Sequence, residues 1–302
     1  MKVFITGGTG LVGTTLVRAL VDRDHEITIL TRGRGHIPES PGSTSVIRGN
    51  PVEQGEWQNA VARHDAVINL AGASIFRRWS AGARKSILES RVLTTRNVVE
   101  AIARSQRQTA LLSVSGIGYY GSRGDHILSE SSTPGAGFLA DVARAWETEA
   151  LKAEAHDTRV VLCRLGHVLG RGGGALPRLA RLSRWHLGSK WGTGRQWLSW
   201  VHEGDLAKAF LFLIERHDSS GPFNITSPQP VRNSEMMEAI NLLLGKRPFV
   251  PPIPAPALRA LLGEFASAFV GGQRAIPARL ENAGFTFDMP TLDVALRDLL
   301  RP

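Results

Sequence analysis

Lys2-Val-Phe-Ile-Thr6 runs directly into Gly7-Gly-Thr-Gly10-Leu-Val-Gly13. The first stretch reads as a short apolar strand. Glycines spaced by three follow it, and Val12, Leu16 and Leu20 then fall on one face at helical spacing. Strand, glycine turn and helix in this order are the context that a dinucleotide-binding fingerprint requires. Gly7 and Gly8 are expected to permit a tight turn with positive φ. Gly10 lets main-chain N–H groups approach a pyrophosphate, and Gly13 lets the helix pack close to the strand. The helix N-terminus then points free N–H groups and the positive end of its dipole at the phosphates.

Beyond this unit, β-rich runs alternate with helical patterns, which predicts a parallel sheet covered by helices. Strands are expected at Glu26–Leu30, Ser45–Arg48, Asp65–Leu70, Thr109–Val114, Arg159–Cys163 and Pro222–Thr226, with a loop over 33–43. Helices are expected over about 80–103, over 138–155 and from Asp205 to Arg216, with Asp205 as the cap or first-turn acid of the last. Gly172-Gly-Gly174 marks a hinge or turn. The fold class is therefore α/β, a Rossmann-type doubly wound parallel sheet with a smaller, mainly helical C-terminal lobe. Residues 1–170 and 201–227 are assigned to the first unit, and 171–200 and 228–302 to the second. A small-molecule substrate is expected in the crevice between them, at the carboxyl ends of the strands.

The chain has 302 residues, of which 42% are hydrophobic, so it can bury a large core. No apolar run reaches the ~20 residues needed to span a bilayer, and the first strand leaves no room for a leader, so a cytoplasmic protein is expected. The one cysteine, Cys163, lies in an apolar run and reads as a core residue. The net charge of +9 is compatible with nucleic acid or an anionic surface. Because the arginines are scattered, without a dense basic tract, neither nucleic acid nor membrane is expected as a partner. Part of the surplus can serve a polyphosphate cofactor. None of the nine histidines shows metal-ligand spacing, so no metal is expected.

The residue that ends the second strand distinguishes two cofactors. An acid there accepts bonds from the ribose hydroxyls of NAD, whereas a base pairs with the 2′-phosphate of NADP. Here the strand ends Leu30-Thr31-Arg32-Gly33-Arg34. No acid is in reach and two arginines are. Arg32 is the first choice, because a guanidinium bonds phosphate in a bidentate, charge-assisted way. The expected cofactor is NADP(H).

Several longer motifs now converge. They are the Gly-Gly-Thr-Gly start, Asn69-Leu-Ala-Gly72, Ser115-Gly-Ile-Gly-Tyr119-Tyr120-Gly121 and Trp200-Val-His202-Glu-Gly-Asp205. On these the chain resembles an extended short-chain dehydrogenase/reductase. Arg78-Trp79, Gly192-x-Gly194-Arg-Gln-x-Leu-x-Trp200 and Gly271-Gly-Gln-Arg274 narrow the resemblance to the atypical "epimerase family protein" group, loosely labelled nucleoside-diphosphate-sugar epimerases. It covers essentially the whole chain. The resemblance implies cofactor contacts from Thr9, Leu11, Val12, Arg32, Leu70 and Ala71, beside Gly72, and from Arg91 and Val168.

Ordinary members of that superfamily use a Tyr-x-x-x-Lys pair, in which Lys helps the phenolate act as a base near neutral pH. This chain places Phe138 and Val142 there, and neither can move a proton. Ser115, Tyr119 and Tyr120 remain as candidate catalytic groups. His202, which matches the histidine of the His-x-x-Asp motif, and Trp200 are candidate substrate-side residues. Three functions stay open: an NADP(H)-dependent oxidoreductase on a carbonyl or alcohol, a nucleotide-sugar epimerase or dehydratase, and a non-catalytic NADP(H)-sensing or partner-binding module.

Overall fold

The structure is a computed structural model, and it describes residues 1–33, 43–105 and 108–300. The expected loop over 33–43 and Arg34 fall almost wholly outside the described residues. Seven parallel strands form the central sheet: β1 (Lys2–Thr6), β2 (Glu26–Thr31), β3 (Thr44–Arg48), β4 (Ala66–Asn69), β5 (Ala110–Gly116), then, past the short β6 (Ile127–Leu128), β7 (Arg159–Leu165) and later β11. The remaining strands are β8 (His167–Leu169), β9 (Trp197–Leu198), β10 (Trp200–His202), β11 (Gly221–Ile225), β12 (Val231–Arg232) and β13 (Arg274–Ala275). The sheet order is β11-β7-β5-β4-β1-β2-β3. The order reverses at β1, which is where a doubly wound sheet opens its crevice.

Both faces are covered. On one side α1 (Leu11–Val21) and α6 (Glu203–Glu215) bury Leu16, Leu20, Phe210 and Leu213 against Ile5, Ile29 and Ile68. On the other, α2 (Trp57–Val61), α3 (Ala81–Ala103) and α4 (Phe138–Leu151) pack Trp57, Val98, Ile102 and Ala150 on Phe4, Val67 and Leu111. Strands buried on both faces read as continuous apolar runs, which is why they were visible in the sequence.

The C-terminal part is mainly helical, as expected. Here α5 (Leu176–Arg184), α7 (Asn233–Leu243) and α11 (Leu292–Leu300) share one core with Trp200. By contrast, Leu262 of α8 (Ala255–Leu262) and Phe269 of α9 (Ser267–Val270) pack with Trp79 and Phe138. Leu280 of α10 (Ala278–Asn282), with Phe285, enters the main core. Residues 228–302 thus contribute to four cores, Ala275 of β13 entering the one around Tyr120, and the strand pair β6–β13 ties them back to the sheet side. Two-residue strands have no period, so that tie leaves no mark in the residue pattern.

Smaller corrections have local causes. The helix expected over 138–155 stops at Leu151 and tightens into a 3-10 turn over Lys152–His156. β5 continues to Gly116, which puts Ser115 inside the strand and not after it. His202, not Asp205, caps α6, its ring nitrogen accepting from Gly204 N at 3.0 Å. Asp205 sits in the first turn and accepts from the backbone N–H groups of Asp288 and Met289, at 2.8 and 3.0 Å. Among the described residues no helix is long and apolar enough to cross a membrane.

Candidate functional site

Thr6 ends β1 and Leu11 begins α1, so the glycine turn lies between a buried strand and the helix that covers it. Gly10 is the N-cap, at φ −85° and ψ 175°, without a side-chain cap and with no acid in the first turn. The first-turn N–H groups of α1 therefore have no partner within the helix. Only Gly7, at φ +74°, takes the positive φ expected of both turn glycines. Gly8 is needed for space instead, since a Cβ there would lie 2.9 Å from Ile29 Cγ2. At Gly13 a Cβ would stand 2.4 Å from the Gly7 carbonyl oxygen, so the helix and the glycine turn are in direct backbone contact. Over Gly10 the nearest atom would be 3.5 Å away. That opening, beside unpartnered N–H groups, fits a pyrophosphate.

The walls of the cleft come from neighbouring strand ends. A Cβ on Gly7 would meet Ala71 N at 2.9 Å. Thr6 Oγ1 donates to Asn69 Oδ1 at 2.7 Å, Asn69 Nδ2 to Thr95 Oγ1 at 2.8 Å, and Thr95 Oγ1 to the Arg91 carbonyl at 2.7 Å. This chain of bonds fixes Leu70-Ala71-Gly72 and α3 relative to the turn. On the other side the Gly170–Gly174 segment lies on Leu11: a Cβ at Gly174 would be 3.1 Å from its Cδ2. The segment is a turn, with Gly174 at φ +75° bridged back to Leu169. Val168 sits in β8, paired with Val201 and packed on the main core.

Arg91 is the unusual group of the cleft. Its Nη1 donates only to the backbone carbonyls of Ala73 and Ile87, both at 3.0 Å. The guanidinium presses on Gly72, where a Cβ would be 3.0 Å from Arg91 Cζ. It also stands 5.0 Å over the Trp146 ring. Burial lowers its pKa to about 10. No carboxylate pairs with it among the described residues, and the buried Trp146 Nε1 has no hydrogen-bond partner. Arg91 is half-buried, and a partly desolvated cation without a counter-charge is costly. A cation and an orphaned donor at one place suit an anionic, oxygen-rich ligand. Arg32, one residue past β2, is exposed and likewise has no described carboxylate partner.

The proton-moving candidates are arranged differently. Ser115 Oγ donates to Glu147 Oε1 at 2.6 Å. Arg164 grips the same carboxylate with Nε on Oε1 at 2.8 Å and Nη2 on Oε2 at 2.7 Å. Arg164 Nη1 also donates to Tyr120 Oη at 2.9 Å, and Tyr120 Oη donates to Asn224 Oδ1 at 2.7 Å. Tyr120 is fully buried, and burial pushes its pKa up to about 12. The hydroxyl protons of Ser115 and Tyr120 are thus committed inside the protein. Tyr119 is half-buried, with Arg164 Cζ 3.6 Å over its ring and, among the described residues, no hydrogen-bond partner for its hydroxyl. Phe138 and Val142 lie on α4, Phe138 meeting Trp79 edge-on at 5.0 Å, so the expected Tyr place is apolar.

Two further expectations change place. Trp200 is fully buried and its Nε1 donates to the Gln229 carbonyl at 3.0 Å, so it offers a substrate no surface. His202 uses one ring nitrogen for the α6 cap, while the other meets Asp298 Oδ2 at 3.2 Å. It joins α6 to α11. Cys163 is wholly buried and its thiol is pushed up by burial. Among the described residues no group of three or more His, Cys, Asp or Glu could hold a metal ion. Glu147, Arg164 and Trp146 were missed as a constellation. Their only sequence signal is a Trp-Glu pair on the helix that normally carries the catalytic residues.

The chain matches the NAD dependent epimerase/dehydratase family over residues 3–226 and a domain of unknown function, DUF1731, over 253–299. It is 38% identical to the chloroplastic epimerase family protein SDR39U1 homolog of Arabidopsis thaliana, covering 100% of this chain and 87% of that one. It is 39% identical to epimerase family protein Mb2239 of Mycobacterium bovis, over 97% and 96% of the two chains. Among solved structures it is similar to the human epimerase family protein SDR39U1 (isoform 2) with NADPH. That match has 31% identity, a TM-score of 0.86 and 99% of each chain covered. With this fold and these matches, the chain belongs to the NAD dependent epimerase/dehydratase family, among its SDR39U1-like epimerase family proteins.

Proposed function

We propose that this chain binds NADP(H) in the cleft between the Gly7–Gly13 turn and Arg91 and acts as an oxidoreductase on a small-molecule carbonyl or alcohol. The observation that carries the binding is Arg91, a half-buried guanidinium bonded to backbone carbonyls and standing 5.0 Å over the Trp146 ring. The human relative crystallised with NADPH supports the choice of nucleotide. In this reading the first-turn N–H groups of α1 hold the pyrophosphate. Leu11, Val12, Leu70, Ala71 and Val168 shape the walls, and Arg32 meets the 2′-phosphate. The nicotinamide supplies or accepts the hydride when bound.

Tyr119 is the proton donor we favour, because its hydroxyl alone among the three candidates is uncommitted. Ser115, giving its proton to Glu147, can accept a bond from a substrate hydroxyl but has no proton to spare for a carbonyl. The epimerase reading is weaker. It needs a strong base where Phe138 packs on Trp79. One observation favours the non-catalytic module: the Ser115–Glu147–Arg164–Tyr120 network is fully bonded and serves the fold. A screen for NADPH oxidation over carbonyl compounds separates these readings. Turnover that falls at least ~100-fold in Tyr119→Phe supports the reductase, in line with the usual contribution of a general acid. Tight NADPH binding with no turnover supports the module.

A further inference from the structure

The geometry points to Arg48 as a second guanidinium on the 2′-phosphate of NADP(H), so that the phosphate is held from the ends of two adjacent strands. The inference rests on the NADP(H) reading above and adds a residue that the strand-two rule does not reach.

The β2–β3 register sets Thr31 opposite Arg48, so both strands finish at one level. Gly49 N donates to the Thr31 carbonyl at 3.0 Å, which holds the two ends together as they leave the sheet. After Thr31 the chain turns at Gly33, at φ +79°, with Gly33 N donating to Thr31 Oγ1 at 3.2 Å. That turn brings Gly33 over β3, where a Cβ on it would lie 4.0 Å from Arg48 Nε. Arg32 and Arg48 therefore flank one glycine, and both are exposed. Neither has a described carboxylate partner. The nearest downstream acid, Glu53, is occupied by Asn50 Nδ2 at 2.7 Å. Arginines elsewhere on the surface do find acids: Arg84 with Glu264 and Arg216 with Asp218, each at 2.7 Å.

Charge supplies the reason for two. A phosphate monoester carries between one and a half and about two negative charges near neutral pH. One guanidinium leaves part of that uncompensated, and a second, bidentate one completes it. NADH carries only an uncharged 2′-hydroxyl at this place, with no phosphate for Arg48 to pair with. Arg48 therefore acts on the discrimination between the two nucleotides and not on nicotinamide chemistry.

The test is calorimetric titration of the purified full chain with NADPH and with NADH, for the wild type, Arg32→Gln and Arg48→Gln. Arg48 is exposed at a strand end, so a melting temperature within about 2 °C of wild type will show that the variant is folded. The expected result is that Arg48→Gln weakens NADPH about tenfold and leaves NADH within twofold. The inference is overturned if Arg48→Gln binds NADPH as the wild type does while Arg32→Gln loses it; the NADP(H) reading would then stand without Arg48. Equal wild-type affinity for NADPH and NADH overturns that reading, and this inference with it.

Discussion

The Ser115 hydroxyl donates to Glu147 Oε1 across 2.6 Å, and Arg164 clamps both oxygens of that carboxylate. Ion pair and serine are all within 6% of complete burial. Removing one partner of such a pair strands a charge in the interior. Arg164→Met is therefore expected to cost about 3–5 kcal/mol of stability, read by urea unfolding. A loss under ~1 kcal/mol would contradict a Glu147 charge that depends on Arg164 for its compensation.

Gly10 and Gly13 belong to one motif and should respond oppositely to a methyl group. Gly10 has ordinary backbone angles and open space, so Gly10→Ala should fold with stability changed by about 0.5 kcal/mol or less. It should lose NADPH binding, because the new Cβ fills the opening. Gly13→Ala drives a Cβ to 2.4 Å from the Gly7 carbonyl and should cost roughly 1–3 kcal/mol or more. Thermal melts and titration of both variants check this; equal melting temperatures contradict it.

His64 bonds the Ala60 carbonyl at 2.7 Å and Thr28 Oγ1 at 2.8 Å, and burial lowers its pKa below 6.5. Above pH 6.5 it is neutral in both folded and unfolded chains and adds no pH dependence. As pH falls below 6.5 the unfolded chain takes the proton first, so stability drops. His64→Gln removes this term. Its melting temperature should fall less than that of the wild type between pH 7.5 and 5.5. A parallel fall in both proteins would place the histidine's proton affinity at its ordinary value.

Cys163 is wholly buried on β7 and its thiol is pushed up by burial. Thiolate is the reactive form, so iodoacetamide should leave the native protein unlabelled and label it fully in urea. Mass spectrometry reads the difference. Rapid native labelling would show that the strand opens.

The sheet was legible because its central strands are buried on both faces and the glycine turn has a fixed spacing. Arg91 was legible only through family resemblance. What makes it distinctive, the missing carboxylate and the bare Trp146 Nε1, is a property of packing. Trp200, a candidate substrate-side residue in the sequence, meets Gln229 and the α5–α7–α11 core in the fold, contacts that its neighbours in the chain do not reveal. The Ser115 proton could not be located from spacing at all. Its acceptor, Glu147, lies on a helix thirty-two residues further along. Arg48 was hidden because the register of β2 and β3, not their sequence, sets it beside Gly33.

The central claim is a dinucleotide cleft that prefers a 2′-phosphate. Titration of the purified chain with NADPH and NADH at one salt concentration tests it most directly. NADPH binding at least about tenfold tighter, with the gap closing in Arg32→Gln, is the predicted result. Equal affinity for the two nucleotides, or binding of neither, would contradict the account.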